Sequence, residues 1–400
     1  MIDIQEATQL VLGRKRDFGT EKLPLEQCSG RILRQDIRAD RDFPPFTRVT
    51  MDGIAIQWVA YEKGQRRFPV EGIQAAGSPQ LKLKDAGHCL EVMTGATLPH
   101  NTDTVIRYED LQMEGGQAQI VPDAKVKAYQ NAHGQGTDRK AGDLVVASGA
   151  VLSPAEIGVA ATVGLPELEV ARMPKAVIVS TGDELVPVAR TPEPHQIRTS
   201  NSHTIQMALS RWGVPADRLH IDDELEATKA ALADCIQNYD IILLSGGVSK
   251  GKYDYVPAAL EALGAKKHFH KVKQRPGKPF WFGEVEGQCT IFALPGNPVS
   301  SFMCTQRYVR PWLRLSLGLE PMGYAHAVLA EDFHFKPDLT YFLQVKTHYD
   351  AATGRLMAQP VEGHGSGDLA NLADADAFLE LPRGRNDYAA GEVFPLIFYR

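Results

Sequence analysis

The segment YDIILLSGGVSKGKYD, residues 239–254, ends an apolar run with a Gly-Gly pair. It falls one residue short of the ATP-binding loop G-x-x-x-x-G-K-[ST], because Tyr253 stands where a small hydroxyl must reach the metal. Asp254 and Pro257 predict that a helix starts directly afterwards. The segment therefore predicts a strand, a glycine turn and a helix start, which offer backbone N–H groups to an anion. An ATPase loop is excluded.

Strand and helix patterns alternate on both sides of this segment. Continuous apolar strands separated by helices are typical of a mostly parallel sheet covered on both faces. Ligands bind such sheets at the carboxyl ends of the strands. The predicted strands are KAVIVS (175–180), RLHIDD (218–223) and DIILLS (240–245), and the predicted helices are HTIQMALSRWG (203–213), ELEATKAALADCIQ (224–237) and YVPAALEALG (255–264).

The remainder of the chain predicts one helix at each end of a β-rich region, followed by a second β-rich region. Residues 3–16 have the apolar spacing of an amphipathic helix. Residues 40–140 consist of short apolar segments broken by Gly and Pro, with a predicted hairpin at Glu114 to Gly116. Ser153 and Glu156 form a predicted capping box for a helix. Strand patterns return after residue 324, which predicts a small closing β domain.

Composition narrows the possible classes of protein. The chain has 400 residues, 44% hydrophobic and 23% charged, and a net charge of -6. This charge argues against a nucleic-acid partner held by broad charge attraction. The first residues lack the order of a secretory signal and no apolar run is long enough to span a bilayer, so we expect a cytoplasmic protein without a membrane partner. The five cysteines are scattered, which predicts neither a disulfide framework nor a zinc cluster.

Carboxylates follow three of the predicted strands. Glu184 follows the first strand, Asp222 with Asp223 follows the second, and Asp254 ends the segment 239–254. Each can be explained locally as a turn or helix-capping residue. All of them would lie at one rim of one sheet, however, and carboxylate oxygens are the ligands that a hard cation such as magnesium prefers. Both interpretations remain open on local grounds.

A basic segment, KKHFHKVKQRPGKPFWFG, occupies residues 266–283. If it forms one strand, alternation places Phe269, Lys271, Lys273 and Arg275 on one face, with Lys278 after a Pro-Gly turn. The segment predicts either a solvated edge strand or a clamp for a dianion. His268 and His270 are weaker candidates for metal ligands.

The segment FALPGNPVSSF follows, with prolines on both sides of Gly296 and Asn297. It predicts a rigid loop whose amides could meet a flat heterocycle, or a plain turn before a helix.

Seven motifs, in order, resemble the molybdopterin molybdenumtransferase family, which includes MoeA and the gephyrin E-domain. The resemblance runs nearly from end to end. The motifs are PPFTRVTMDGIAI (44–56), MTGATLP (93–99), GTDRKAGD (136–143), STGDEL (180–185), LSGGVSKGKYD (244–254), QRPGKPFWFG (274–283) and LPGNPVSS (294–301).

The resemblance implies a multidomain α/β plus β protein. We expect an elongated first domain from residues 1–40 and 142–172, an inserted β-rich domain from 41–141, a three-layer α/β molybdopterin-binding domain from 173–318, and a C-terminal β barrel from 319–400. It implies a homodimer that takes adenylylated molybdopterin and molybdate as substrates and, with Mg²⁺, releases AMP. Implied protein partners are a molybdopterin adenylyltransferase and proteins that deliver the cofactor to molybdoenzymes.

The resemblance also assigns site residues. Catalytic roles fall on Asp254, Glu184, Asp222, Lys271 and Arg275, and the three carboxylates would bind the metal. Pterin-nucleotide contacts fall on Ser245, Gly246, Gly247, Ser249, Lys278, Pro295, Gly296, Asn297, Pro298 and Ser366. The partner subunit would supply Asp52, Thr94 and Asp138.

Three positions depart from the family pattern. Arg275 stands where Lys is common, so a planar guanidinium group replaces a compact ammonium group while the positive charge is kept. Gln344 stands where an Arg is expected, and Thr50 replaces Ser before Met51. The other functions compatible with this fold are a related pterin or nucleotide hydrolase and a non-catalytic pterin-binding scaffold.

Overall fold

The computed structural model describes residues 1–222, 224–247, 255–320 and 323–400. The sequence-predicted helix start at Asp254 and the predicted loop residue Ser249 lie outside these residues. The chain forms two compact units. Unit 1 contains Met1–Lys22, Gly30–Ile32 and Glu169–Arg400, and unit 2 contains Leu23–Ser29 and Leu33–Leu168.

The α-helices of the described residues are α1 (Ile4–Leu12), α2 (Trp58–Glu62), α3 (Pro154–Thr162), α4 (Asn201–Arg211), α5 (Leu225–Asn238), α6 (Val256–Ala262), α7 (Pro298–Cys304), α8 (Arg310–Ser316) and α9 (Asn371–Asp374). Shorter 3₁₀ turns cover Leu25–Gln27 and Tyr108–Asp110, and a π-helical turn covers Thr305–Val309. None of these helices combines the length and apolarity that crossing a bilayer requires.

The strands of the described residues are β1 (Thr20–Pro24), β2 (Ile37–Arg38), β3 (Arg48–Val49), β4 (Gly53–Ile56), β5 (Arg67–Gln74), β6 (Cys89–Val92), β7 (Thr104–Arg107), β8 (Leu111–Glu114), β9 (Gln117–Ile120), β10 (Ala132–His133), β11 (Leu144–Val146), β12 (Glu167–Ala171), β13 (Ala176–Thr181), β14 (Leu185–Val186), β15 (Ile197–Arg198), β16 (Ala216–Ile221), β17 (Ile241–Ser245), β18 (Lys266–His270), β19 (Gln274–Arg275), β20 (Trp281–Val285), β21 (Cys289–Leu294), β22 (Ala325–Leu329), β23 (Phe333–His334), β24 (Thr340–Tyr349), β25 (Leu356–Pro360), β26 (Ala377–Leu381), β27 (Asp387–Tyr388) and β28 (Val393–Phe398).

The main sheet of unit 1 has the strand order β16-β13-β17-β21-β20-β18 among the described strands. β16, β13, β17 and β21 run parallel, whereas β20 and β18 are antiparallel. Ser180 is in register with Ser245, and Ser245 with Leu294. The carboxyl ends of three central strands therefore lie side by side, and the predicted mostly parallel sheet is confirmed.

Alternate residues of the central strands enter two separate cores. Ile178 and Leu243 belong to a core that includes Leu209 of α4 and Trp312 of α8. Val179 belongs to another, which includes residues of α5 and α6. Because both faces of each strand are buried, the strands are apolar throughout. This explains the unbroken hydrophobic runs from which the sheet was predicted.

The C-terminal strands close into a five-stranded barrel among the described residues. The order is β24-β25-β22-β28-β26, and β26 pairs back onto β24, with Leu381 opposite Tyr341. Closure removes the exposed sheet edges. β19 adds to this sheet from outside the barrel segment, since Gln274 pairs in parallel with Thr340. The predicted closing β domain is confirmed.

The basic segment 266–283 does not form one strand, so the prediction that Phe269, Lys271, Lys273 and Arg275 share a strand face was wrong. β18 ends at His270, and Lys271 has a φ of 79°. This left-handed conformation breaks strand alternation. Arg275 then pairs with the barrel strand β24 instead of the main sheet.

Unit 2 contains a six-stranded sheet among its described strands, in the order β7-β4-β6-β5-β9-β8. β8 and β9 pair antiparallel through Gly115 and Gly116, whose φ values are 54° and 76°. Two successive positive φ values are typical of a tight hairpin turn, so the predicted hairpin is confirmed. The capping box of α3 is also present, with Ser153 N donating to Glu156 Oε2 at 2.8 Å.

All five cysteines are buried, where they pack as small apolar side chains.

Candidate functional site

The glycine turn after β17 brings backbone close to the neighbouring strand end. Gly246 and Gly247 have φ values of 104° and 68°, which disfavour residues with a Cβ. A Cβ on Gly247 would lie 2.6 Å from Val256 Cγ2 and 3.0 Å from Thr181 Oγ1. The turn therefore needs glycine for its conformation and for space.

The Pro-Gly-Asn-Pro loop lies against this turn. It connects β21 to α7, which begins at Pro298. Pro295 is buried, whereas Gly296 and Asn297 are exposed. A Cβ on Gly296 would be 3.7 Å from Gly246 Cα, so the two loops are in van der Waals contact. The structure thus brings together the two loops that the sequence assigned separately to the pterin nucleotide.

Asn201 holds these loops together, and the sequence analysis missed it. Its Nδ2 donates to Ser245 Oγ at 2.9 Å and to Gly296 O at 2.7 Å. Its Oδ1 is buried and accepts no hydrogen bond from the described residues. The local signal was weak, because an Asn before a helical pattern is most simply interpreted as a helix start.

Ser366 reaches the same loop from the C-terminal segment. Asn297 Nδ2 donates to Ser366 Oγ at 2.7 Å, and Val299 N donates to Ser366 O at 3.2 Å. The predicted site residue on the barrel side therefore contacts the predicted Pro-Gly-Asn-Pro loop within unit 1.

A cavity of about 200 Å³ opens beside Ser366. Arg275 lines it, and the Arg275 guanidinium also lies 5.9 Å from the centre of the Phe335 ring. Burial raises the pKa of Tyr341 in the same wall, while Arg275 lowers it. Gln344 lines the cavity too, and its buried Oε1 accepts no hydrogen bond from the described residues. The cavity therefore offers one guanidinium group to an anion, whereas Gln344 Oε1, being an acceptor, would need a donor from the ligand.

Lys271 and Lys278 lie on either side of Arg275 in the chain, in the segment between β18 and β20. Lys271 N donates to Phe280 O at 2.9 Å, and Val272 N donates to Lys278 O at 3.0 Å, so the loop folds back on itself. Lys271 is half-buried and Lys278 is exposed. Neither is among the described residues that line the Arg275 cavity.

The described carboxylates of the predicted metal set are exposed. Glu184 lies after β13, where a Cβ on Gly182 would be 2.5 Å from the Glu184 carboxylate. Asp222 follows β16, with Oδ1 3.8 Å from His220 Nε2. Asp254 lies outside the described residues. In the described ranges, no group of three or more His, Cys, Asp or Glu side chains could hold a metal ion.

The weaker metal-ligand interpretation of His268 has a simpler alternative. His268 Nε2 lies 2.9 Å from Glu284 Oε1 across the β18–β20 pair. The ring is almost fully buried. This cross-strand pair explains the residue without a metal.

Unit 2 holds the other three predicted site residues. Asp52 Oδ1 accepts hydrogen bonds from Thr94 N at 2.6 Å and Thr94 Oγ1 at 2.7 Å. These two bonds lower the pKa of Asp52, the backbone one most. Asp138 Oδ1 lies 2.9 Å from His133 Nε2. The structure thus brings Asp52 and Thr94 together and gives Asp138 a different partner.

Comparison with known families divides the chain into three matched regions. Residues 2–164 match the MoeA N-terminal region (domain I and II), residues 177–315 match a probable molybdopterin binding domain, and residues 326–399 match the MoeA C-terminal region (domain IV).

Individual proteins match over the full chain. Molybdopterin molybdenumtransferase of Synechocystis sp. is 38% identical over 99% of both chains. The Bacillus subtilis protein of the same name is 31% identical over 100% of this chain and 94% of its own. The crystal structure of a molybdopterin biosynthesis MoeA protein from Pyrococcus horikoshii has a TM-score of 0.84 at 29% identity, covering 100% of this chain and 99% of that one. The chain therefore belongs to the molybdopterin molybdenumtransferase family of molybdenum cofactor biosynthesis.

Proposed function

We propose that this chain transfers molybdenum from molybdate to adenylylated molybdopterin, with Mg²⁺-dependent release of AMP. The observation that carries the proposal is the junction of the Gly246-Gly247 turn, the Pro-Gly-Asn-Pro loop and Asn201 at the carboxyl ends of parallel strands. Ligands bind open α/β sheets at this edge. Family membership adds the identity of the ligand.

The two loops would bind opposite ends of the pterin nucleotide. The glycine turn exposes backbone without side chains, which suits a phosphate oxygen. The Pro-Gly-Asn-Pro loop is rigid and presents Gly296 and Asn297 at its surface. Asn201 would keep the distance between the loops constant, because it bonds to both.

The basic residues would hold the oxyanions. Arg275 faces a cavity of about 200 Å³ that is lined on another side by Ser366 and Gln344. A guanidinium binds a tetrahedral oxyanion through paired hydrogen bonds. Lys271 and Lys278 lie on the adjoining loop, where Lys271 would neutralise charge on molybdate or phosphate and Lys278 would neutralise phosphate charge. We assign molybdate to the Arg275 cavity.

Glu184 and Asp222 have the donor chemistry that Mg²⁺ requires. Proteins bind Mg²⁺ through one or two carboxylates together with substrate phosphates and water. Both side chains are exposed at the sheet edge and so are accessible to a substrate-bound cation. When bound, Mg²⁺ neutralises charge on the cleaved pyrophosphate. Asp254 completes the proposed set.

One assay tests the whole proposal. The purified protein is incubated with adenylylated molybdopterin, Mg²⁺ and molybdate, and both AMP and active cofactor are measured. We expect both to form together. AMP without molybdenum insertion would indicate a pterin-nucleotide hydrolase, and binding without turnover would indicate a scaffold.

Asp254→Asn separates a metal ligand from a helix cap. Asn accepts a capping hydrogen bond almost as well as Asp but lacks its charge. We expect near-native thermal stability, retained pterin-nucleotide binding and AMP release lowered by orders of magnitude at limiting Mg²⁺. Unchanged AMP release would remove Asp254 from the metal set.

We also propose a homodimer in which the partner subunit's Asp52, Thr94 and Asp138 complete the site. Asp52 and Thr94 form an exposed, mutually hydrogen-bonded pair that is accessible to a second molecule. Mixing inactive Asp52→Ala and Asp254→Ala chains should restore part of the activity through heterodimers. Failure to recover activity despite demonstrated subunit exchange would contradict a shared site.

Cytoplasmic location and the two protein partners implied by the family remain part of this proposal. Pull-down of a molybdopterin adenylyltransferase by the purified chain would test the first partnership.

A further inference from the structure

An arginine-lined cavity lies in unit 1 between α4, α8 and the C-terminal residues. Its volume is about 400 Å³. None of its lining residues lines the Arg275 cavity, so the two are separate. Its lining residues include Arg211, Trp212, Phe302, Gln306, Arg310, Tyr399 and Arg400. We call it the arginine cavity.

No Asp or Glu side chain is among the described residues that line the arginine cavity. Arg211 Nη1 donates to Tyr399 O at 3.1 Å, Arg310 Nη1 to Phe398 O at 3.2 Å, and Arg400 Nη2 to Leu372 O at 3.0 Å. Within the described ranges, none of these guanidinium groups forms an ion pair, and the lining residues include no Asp or Glu. Each guanidinium has five N–H donors, so most of its donors remain for a ligand.

The charges also oppose one another. Burial lowers the pKa of Arg310, and the neighbouring Arg314 and Arg211 lower it further. Like charges at close range destabilise a fold unless an anion lies between them. The cluster is therefore arranged as a bound anion would require.

Gln306 supplies an independent indication of a ligand. Only 6% of this residue is exposed, and its Oε1 is buried without a hydrogen-bond partner among the described residues. It lines the arginine cavity and also the adjoining pocket of about 110 Å³. A buried polar atom without a partner carries a free-energy cost, and rotation of the Gln306 amide toward the cavity would let a ligand N–H or O–H remove it.

The backbone at Gln306 is unusual. Thr305–Val309 form a π-helical turn between α7 and α8. Such turns are rare and frequently occur at functional sites. Here the turn carries Gln306 and leads directly to Arg310, and these two residues line both pockets together with Phe398.

Aromatic side chains complete the walls of the cavity. Trp212 lies with its ring 5.8 Å from the Arg310 guanidinium, and Phe302 packs edge-to-face on Tyr399 at 5.1 Å between ring centres. Trp212, Phe302 and Tyr399 are only partly buried, so ring surface is available to a ligand. Flat rings stack on such surfaces.

We propose that the arginine cavity binds a small phosphate monoester that carries an aromatic ring and a ring N–H or O–H donor. The arginines bind the phosphate dianion, and the aromatic side chains stack on the ring. Gln306 Oε1 accepts the hydrogen bond from the N–H or O–H donor of the ligand. A dianion is favoured over a carboxylate because three arginines line the cavity and no Asp or Glu side chain is among its described lining residues.

Binding is measured by calorimetry and by quenching of Trp212 fluorescence, using phenyl phosphate, 4-aminophenyl phosphate, inorganic phosphate, benzoate and phenol. We expect both aromatic phosphates to bind at least about tenfold more tightly than the other three probes. The quenching should be absent in Trp212→Phe. Equal binding of phenol or benzoate would overturn the dianion assignment.

Variants locate the binding. Arg211→Gln and Arg310→Gln should each weaken phenyl phosphate by about tenfold or more, since a charge-assisted hydrogen bond is lost. Arg211 is exposed, so its variant keeps the fold, which a thermal melt checks. The exposed Arg355 gives a matched control, and Arg275→Gln should leave this binding unchanged.

Gln306→Leu tests the acceptor. The preference for 4-aminophenyl phosphate over phenyl phosphate should disappear in this variant. If the arginine variants bind phenyl phosphate as the wild type does, the site is elsewhere and the proposal fails. It also fails if no probe binds; a changed oligomeric state in the arginine variants would then identify the face as a subunit interface.

Discussion

Asn201 Nδ2 donates a 2.9 Å hydrogen bond to Ser245 Oγ, which ties the first residue of α4 to the last residue of β17. The same Nδ2 donates to Gly296 O at 2.7 Å. One amide group therefore sets the positions of both loops at the edge of the sheet. Asn201 acts as a positioning residue in the proposed site.

Asn201→Ala should impair pterin-nucleotide binding more than folding. Loss of two hydrogen bonds should lower the free energy of unfolding by about 1–3 kcal/mol. We expect the KM for adenylylated molybdopterin to rise at least about tenfold while kcat falls less. Asn238→Ala is the control, because the Asn238 side chain donates to Asp234 within α5 and, among the described residues, to no other element. An unchanged KM in a folded Asn201→Ala protein would refute the positioning role.

Gly247→Ala should be more damaging than Gly19→Ala, although both glycines have positive φ. Gly19 has a φ of 81° with open space around its missing Cβ, so only the backbone conformation is penalised, by about 1–2 kcal/mol. At Gly247 the new Cβ would also meet Val256 at 2.6 Å. Gly247→Ala should lower both the stability measured by chemical unfolding and the rate of AMP release. Gly19→Ala should lower the stability alone. Equal losses of stability and equal activity would contradict the close approach.

Lys271→Gln should raise the molybdate concentration needed for half-maximal activity by at least about tenfold, if the amine neutralises oxyanion charge. Lys267→Gln is the matched control, since Lys267 is an exposed residue of the preceding strand β18. Lys267 is exposed and Lys271 is half-buried, and charges near the surface contribute at most about 1 kcal/mol, so neither change should alter the melting temperature greatly. Identical molybdate dependence in the two variants would return Lys271 to the solvated-edge interpretation.

Thr94→Val should raise the pKa of Asp52 toward its ordinary value, because the Thr94 hydroxyl no longer donates to the carboxylate. The backbone bond from Thr94 N remains, so a part of the shift should persist. NMR titration of the Asp52 carboxyl group measures this directly.

The lowered pKa of Asp52 determines how its contribution to the free energy of unfolding changes with pH. A carboxyl group with a lower pKa in the folded state stabilises the fold above its unfolded pKa, and this contribution is lost as pH falls through the folded pKa. The acid-induced loss attributable to Asp52 should therefore be smaller in Thr94→Val. Thr102→Val is the control, because the Thr102 hydroxyl donates to Pro99 O, and it should leave the Asp52 titration unchanged. An equal change in both variants would contradict the assignment.

The sequence alone determined the elements whose signals are local. The unbroken apolar runs at Ala176–Thr181 and Ile241–Ser245 predicted doubly covered parallel strands, since each residue there is buried on one face or the other. The glycine pair at Gly115 and Gly116 predicted the hairpin, because consecutive positive φ values suit glycine. The ordered motifs also assigned the glycine turn and the Pro-Gly-Asn-Pro loop to the pterin nucleotide by family resemblance, although only the structure brings the two loops together.

Only the tertiary structure decided the arrangement where distant segments compete for the same residues. Alternation predicted one strand through Lys271 and Arg275, but Lys271 turns at a φ of 79° and Arg275 pairs with Tyr341 of the barrel. No local pattern encodes a pairing across that separation. Likewise, Asn201 has the sequence context of an ordinary helix start, and its role exists only because the sheet brings Ser245 and Gly296 to the same point. Long-range contacts decide such positions because their energy depends on the whole packed core.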